Sequence, residues 1–365
     1  MRVFPIFTLI VMVAVLAVVP MVSAQLPSAP SAVREEENKA KAAPTPALEP
    51  SQPPPPAAAP EKASVPPPAG TATPAAASVA PPETSITTIR SYVDEVNVIF
   101  TVTDKHGNFV KDLTQEDFRV LDDKQPPRQI VNFIRETNLP LRVGLLVDAS
   151  NSIRDRFKFE QDSAIEFLNQ IVRPKFDRAF VIGFDTTPEV TADFTDDAEQ
   201  LSHGVRMLRP GGGTALYDAV YSACRDKLLK SGSPTGAVRK AIVLLSDGDD
   251  NQSRVTREEA IAMAQRAEVI IYTISTNSSG YKDKGDKVLE RMAEATGGRA
   301  FFPFKAEDVA NAFSEIQDEL RSQYMIAYKP PKFVADGRYH SIEITVANRK
   351  NLTARARQGY FAPKP

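Results

Sequence analysis

A single cysteine, Cys224, is all that 365 residues offer for covalent cross-linking. An intrachain disulfide is excluded, so stability must come from a buried core. Between Ala223 and Arg225, Cys224 reads as a small buried hydrophobe. Histidine is nearly as scarce. His106, His203 and His340 fall in separate regions, which argues against a His-based acid/base site or a zinc site. Excess basic charge is also missing: the formal net charge is −2 with 25% charged residues, so there is no electrostatic footprint for nucleic acid. No G-x-S-x-G string marks a nucleophile elbow. The glycine loop at Gly211 lacks the lysine of a P-loop and the spacing of a dinucleotide fingerprint. These absences point away from an enzyme.

A long apolar run is missing too. Residues 1–24 carry Arg2, an apolar stretch from Ile6 to Val19, Pro20, and then Val22-Ser23-Ala24 before Gln25. The ending resembles a signal-peptidase site. The stretch is shorter than the roughly 20 residues a span requires, so a signal peptide is expected, with an uncleaved N-terminal membrane anchor as the alternative. No cysteine follows it to carry a lipid. Either reading exports the rest of the chain, to the medium or to the periplasm and cell envelope. Residues 25–85 have no aromatic side chain and are rich in Pro and Ala. Such a segment cannot bury enough apolar area to offset its ordering entropy, and is expected to be a disordered, partly polyproline II linker.

Beyond residue 85 the pattern changes. Tyr92, Val96, Val98, Phe100 and Val102 alternate with polar residues, and short strand-like runs continue through 86–138 as four expected strands. Alternation returns in 326–365, at Ile342, Ile344 and Val346 and near Gly359-Tyr360-Phe361, giving three more. Either set alone is marginal; seven together make a sandwich. Residues 139–325 instead alternate strand and helix. Buried-strand runs stand at 143–147, 178–184, 241–245 and 269–275. Helices are expected at 154–172, 198–208, 214–230, 257–268, 286–296 and 307–323. The predicted fold is α/β: a doubly wound, mostly parallel sheet inserted in, or flanked by, a small β-sandwich of N- and C-terminal strands.

Two of the buried runs end in acid. Val143–Val147 leads into Asp148-Ala-Ser150-Asn-Ser152, whose oxygen-bearing side chains alternate and share one side of a tight loop. Ala241–Leu245 leads into Ser246-Asp247-Gly248-Asp249-Asp250, and between them Gly211-Gly212-Gly213 presents Thr214. Ligands of open α/β sheets bind in the crevice beyond the strands' carboxyl ends. Hard oxygens without His or Cys suit a hard cation there, Mg²⁺ before Ca²⁺ or Mn²⁺. Helix capping alone would also account for Asp148 and Ser150.

The ordered trio D-x-S-x-S, G-G-T, S-D-G-x-D resembles the metal-ion-dependent adhesion site of von Willebrand factor A domains, over about residues 138 to 325. The flanking NVIFTVTDKHGNFVKDLTQEDFRVLDD and the terminal ARQGYFAP resemble a bacterial secreted family described as VWFA-related, acidobacterial type. The resemblance implies a metal site of Asp148, Ser150, Ser152, Thr214 and Asp247. Hydroxyls would bind the cation directly and aspartates largely through water. One coordination position would stay open to an Asp or Glu carboxylate of a partner protein. It thus implies an adhesion-type protein-binding module. A cell-envelope assembly factor using the same site is the alternative, and a Mg²⁺-dependent hydrolase is a weaker one. Haloacid-dehalogenase-type phosphatases place a second acid two residues after the first; here that position is Ser150. Asp218 reads as helix surface or cap, and the Asp249-Asp250 pair is open.

Overall fold

The computed structural model describes residues 95–135, 139–151, 157–232, 238–305 and 307–364. The expected signal segment, the linker, Tyr92, Ser152 and the start of the first helix at Arg154 lie outside them. No helix among the described residues is long and apolar enough to cross a membrane.

The middle of the chain builds a six-stranded sheet in the order β6-β5-β4-β7-β8-β9. Its strands are β4 (Leu141–Asp148), β5 (Arg178–Phe184), β6 (Pro188–Thr195), β7 (Arg239–Ser246), β8 (Val269–Ser275) and β9 (Ala300–Phe301). All neighbours pair in parallel except β5 with β6. Sheet faces covered on both sides explain the unbroken apolar runs, since no strand face needs to meet water. Val143, Leu145 and Val147 of β4 point into one core with α1 (Phe157–Ile171), α2 (Ala198–Met207) and α6 (Glu307–Leu320). Leu146 points into the other, with α3 (Leu216–Ser222), α4 (Arg257–Arg266) and α5 (Lys284–Thr296). On that second face Gly144 is required by packing: a Cβ there would run into the Phe180 ring.

Two local expectations need correction. β6 was not expected, because PEVTADFT is short of apolar residues; it forms as a half-exposed edge strand, and Pro188 at its start is tolerated at such an edge. The helix expected at 214–230 begins only at Leu216 and widens into a π-helical turn at Ala223–Leu228. Cys224 sits in that turn, fully buried, and burial pushes its thiol pKa far up. It is a packing residue, as composition suggested.

The flanks form two antiparallel sheets, β12-β1-β10-β3 and β13-β11-β2. The strands are β1 (Val96–Asp104), β2 (Phe118–Asp122), β3 (Gln129–Ile134), β10 (Tyr324–Lys329), β11 (Tyr339–Val346), β12 (Leu352–Ala356) and β13 (Gly359–Phe361). Seven strands were expected, but they divide three and four, not four and three. Residues 110–113 make no strand; Tyr324 holds them instead, its hydroxyl donating to the Val110 carbonyl and accepting from the Leu113 amide. β1 lies against β10, with Val98 opposite Ile326, although the whole α/β unit separates them in sequence. Val98, Phe100, Tyr324, Ile326 and Ile344 share a third core. The α/β unit is therefore inserted between strands that pair with each other.

Buried polar contacts fasten the insertion. The Arg239 guanidinium, at the start of β7, donates to the carbonyls of Leu139, just before β4, and Leu320, at the end of α6. Both crossings between sandwich and α/β unit are thus held by one side chain, whose pKa burial lowers to about 10. Glu319, wholly buried, accepts from Tyr272 of β8 and pairs with Arg355 of β12. Nearby, Asp177 accepts from the Leu141 amide and from Arg173. Burial raises the Asp177 pKa, but the Arg173 and Leu141 hydrogen bonds more than offset it, leaving it below the usual range. A carboxylate lowered on folding adds stability above its unfolded pKa of about 3.9, and that stability is lost as pH falls through the folded value. Asp177→Asn should therefore destabilise the chain by about 3 kcal/mol near neutrality. In denaturant titrations the gap to wild type should narrow in acid; an equal gap at all pH values would count against this account.

Candidate metal centre

The parallel register of β4 and β7 places Val147 beside Leu245, so Asp148 and Ser246 emerge side by side at the carboxyl edge of the sheet. The Ser246 hydroxyl donates to Asp148 Oδ2 at 2.7 Å and accepts from the Gly248 amide at 3.0 Å. Asp148 Oδ1 accepts from the Ser150 amide at 2.9 Å. Asp148 is fully buried and Ser150 nearly so. Burial, with the Asp247 charge adding to it, pushes the Asp148 pKa up to about 6 against the pull of its hydrogen bonds. Asp247, half-buried, turns its own loop by accepting from the Asp249 amide at 3.1 Å.

The glycine loop is stitched to both strand ends. The Gly211 amide donates to the Ala149 carbonyl at 2.6 Å, and the Ala215 amide to the Asp185 carbonyl at 2.7 Å. On the other side the Thr214 amide donates to Asn251 Oδ1 at 3.0 Å, while its carbonyl accepts from the amides of Asn251 and Gln252. Glycine is needed here for space: a Cβ on Gly213 would lie 2.6 Å from Asn251 Oδ1, and Gly212 has φ +67°. Thr214 is 4% exposed, and among the described residues its hydroxyl has no hydrogen-bond partner. Its backbone is fixed on both sides while the hydroxyl stays available.

Of the five expected ligands, Asp148, Ser150, Thr214 and Asp247 thus stand on loops bonded to one another; Ser152 lies outside the described residues. The donor set fits a hard divalent cation: buried hydroxyl and carboxylate oxygens, with no imidazole or thiolate among them. Two carboxylates close enough to raise the pKa of a buried Asp148 also favour positive charge between them. Of the pair left open, Asp250 is a support and Asp249 is not, and Asp218, expected as helix surface or cap, is a support too. Asp250 accepts from the Tyr217 amide and the Ser253 hydroxyl, capping α3 from another loop. Asp218 Oδ1 accepts from the amides of Arg254 and Val255. Asp249 is exposed, its pKa raised by partial desolvation and by Asp247 and Asp283. Sequence reasoning passed over three supports, Ser246, Asp185 and Asn251. Ser246 was findable, because it directly precedes an acid at the end of a buried run. The other two are defined only by contacts between loops.

One further group could in principle gather a cation. Asp122, Asp123 and His340 bring ligand atoms within 4.8 Å of one another, so His340 is less isolated than its place in the sequence implied. Most of their oxygens already serve the fold. Asp122 accepts from the hydroxyls of Tyr328 and Tyr360, and Asp123 from the Ser341 amide and hydroxyl and against His340 Nδ1. The trio locks the Asp123-Lys124 turn, both residues at positive φ, onto β11.

Ser246→Ala should cost about 1–3 kcal/mol, since it strips a partner from the buried Asp148 and from the Gly248 amide together. Chemical denaturation checks this; a change within a few tenths of a kcal/mol would show that the β4 and β7 loops hold without the bond.

The comparisons bear on the same region. Residues 143–319 match the von Willebrand factor type A domain model. No curated protein matches the chain. Among solved structures, it is similar to proximal thread matrix protein 1 from the mussel byssus (16% identity, 54% of this chain and 50% of that one, TM-score 0.43). It is also similar to the conserved hypothetical protein BatB from Bacteroides thetaiotaomicron (18% identity, 50% and 100% covered, TM-score 0.40). A third is the vWF domain of the type V pili tip protein Mfa5 from Porphyromonas gingivalis (17% identity, 50% and 96% covered, TM-score 0.41). The matched region spans about half the length of the mussel protein. With the strand-end loops, the sheet order and the family match in agreement, residues 143–319 of this chain are a von Willebrand factor type A domain.

Proposed function

We infer that this chain is an exported, non-enzymatic protein-binding module that captures a carboxylate of a partner protein through a divalent cation, Mg²⁺ or else Ca²⁺ or Mn²⁺. The cation would be held by Asp148, Ser150, Ser152, Thr214 and Asp247. The observation that carries the reading is the Thr214 hydroxyl, which has no protein partner among the described residues yet sits on a backbone tied to Asn251 and, through its loop, to Ala149. A residue fixed so firmly and left with a spare oxygen is arranged to receive something.

When bound, the cation supplies one open coordination position for an outside carboxylate oxygen. The chain does the rest. Ser150 and Thr214 offer neutral oxygens that leave much of the positive charge unspent, while Ser246 and the Ser150 amide orient Asp148. Beside the crevice a hollow of about 300 Å³, lined by Ala149, Asp185, Glu189, Met207 and Arg209, offers a partner both charge and apolar surface. Met207 is 53% exposed there. For a non-enzymatic role, His106 stands in the β1 turn, His203 on α2 and His340 in the sandwich, so none is placed to act as acid or base beside Asp148.

The flanking strings resemble those of the secreted VWFA-related, acidobacterial-type proteins, which supports export. Residues 1–24 serve as export signal or N-terminal anchor, and residues 25–85 as the tether. An envelope assembly factor using the same crevice differs only in the partner's location. Co-purification with a neighbouring envelope protein would favour it, and capture of a partner on another cell or matrix the adhesive role.

Thermal melts with Mg²⁺ and then with chelator test the site. A ligand at 100 times its dissociation constant that binds only the native state adds about 2.7 kcal/mol. Wild type should gain stability on that scale, and Thr214→Ala should fold but lose most of the gain. Asp148→Ala should lose it entirely. An equal response in wild type and Thr214→Ala, or none to Mg²⁺, Ca²⁺ or Mn²⁺, would overturn the assignment.

A further inference from the structure

At the opposite end of the parallel sheet, where β7 and β8 begin, the α/β unit meets the sandwich around a cavity of about 230 Å³. Its apolar wall comes from Ile99 of β1, Ile270 of β8 and Met325 of β10. Two cations line the same space, Lys240 near the start of β7 and Arg357 just after β12. Among the described residues the Lys240 ammonium makes no hydrogen bond or ion pair. Arg357 is only partly satisfied: its side chain is 9% exposed, and Nη2 donates to the Asn97 carbonyl at 2.8 Å and to Glu268 Oε1 at 3.1 Å. Its Nε and Nη1 are buried without a partner. Buried charged donors left unpaired are costly, and native proteins rarely keep them without a reason. Among the described residues of the wall one carboxylate stands, Glu268, which is 56% exposed and already engages Arg357. The lining therefore carries uncompensated positive charge beside apolar surface.

A second hollow, of about 350 Å³, shares Lys240, Glu268 and Arg357 and reaches toward Phe361. The same charged side chains thus stand between two spaces, and an anion placed among them would face both.

We propose that this junction is a binding site for a small amphipathic carboxylate. Its carboxylate accepts from Lys240 and Arg357, and its hydrocarbon part lies on Ile99, Ile270 and Met325. The chemistry follows from the wall: a bare inorganic anion would leave the apolar side unused, and an uncharged lipid would leave Nε and Nη1 of Arg357 and the half-buried Lys240 ammonium without an acceptor. The size of the cavity suits a short chain. The site lies at the amino ends of the strands, away from the metal crevice at their carboxyl ends, and does not depend on that reading.

Hexanoate is the probe, titrated calorimetrically into the full chain, with 1-hexanol as its uncharged counterpart and Lys240→Met as the variant. Hexanoate should bind saturably at one site. Both 1-hexanol to wild type and hexanoate to Lys240→Met should bind about tenfold or more weakly, the loss expected for one charge-assisted hydrogen bond. Methionine keeps most of the lysine stem, and the variant's melt should still respond to Mg²⁺ as wild type does. Non-saturable hexanoate uptake, equal binding of 1-hexanol, or unchanged binding by a folded Lys240→Met would each overturn the proposal. If the variant does not fold, the comparison of hexanoate with 1-hexanol on wild type decides.

Discussion

The in-register parallel pairing of β4 with β7 is the constraint on which the rest of this structure turns. Because the two strands run side by side from Leu141 opposite Arg239 to Val147 opposite Leu245, their first polar side chains leave the sheet together. Asp148 then has Ser246 within hydrogen-bond reach and Asp247 close enough to be felt as charge. Slip one strand by a single residue and the inward apolar set would turn to the wrong face. The core therefore enforces the register, and the register assembles the crevice.

Apolar burial carries the fold, and a few buried polar groups decide how its parts are joined. Arg239 reaches both places where the chain crosses between sandwich and α/β unit, and Glu319 reaches across to Arg355. Such contacts are poor sources of net stability, since desolvation consumes much of the attraction. Their value is geometric, because an Arg239 or Glu319 stripped of these partners by a different packing would be severely penalised. At this same seam Lys240 and Arg357 keep donors that the chain itself does not satisfy. Arg239 and Arg355 along the same interface each also keep a buried Nε without a partner; what sets Lys240 and Arg357 apart is the apolar cavity they line.

Much of the architecture was legible in the residues. β5 and β8 begin and end where their apolar runs do, because a strand covered on both faces has no polar side to blur its limits. β6 was not legible: an edge strand with one face in water carries no such run, and only its pairing with β5 makes it a strand. The π-helical turn at Ala223–Leu228 was hidden because its residues, Ala, Cys, Arg and Leu among them, suit an ordinary helix equally well. The strand count of the sandwich was right, but its division was not. Residues 110–113 look like a strand until Tyr324, more than two hundred residues away, takes their backbone groups.

The sequence by itself determined the alternation of strand and helix, the acid at the end of two buried runs, and the glycine loop that presents Thr214. These are local facts of side-chain type and spacing. Tertiary structure alone decided that Asp148 is buried with a pKa near 6, and that Asn251 and Asp185 hold the Thr214 loop. It also decided that β1 finds β10 across the inserted domain. The physical reason is common to all three. Burial, electrostatic proximity and strand pairing are properties of distance in space, which the order of residues constrains only through the fold.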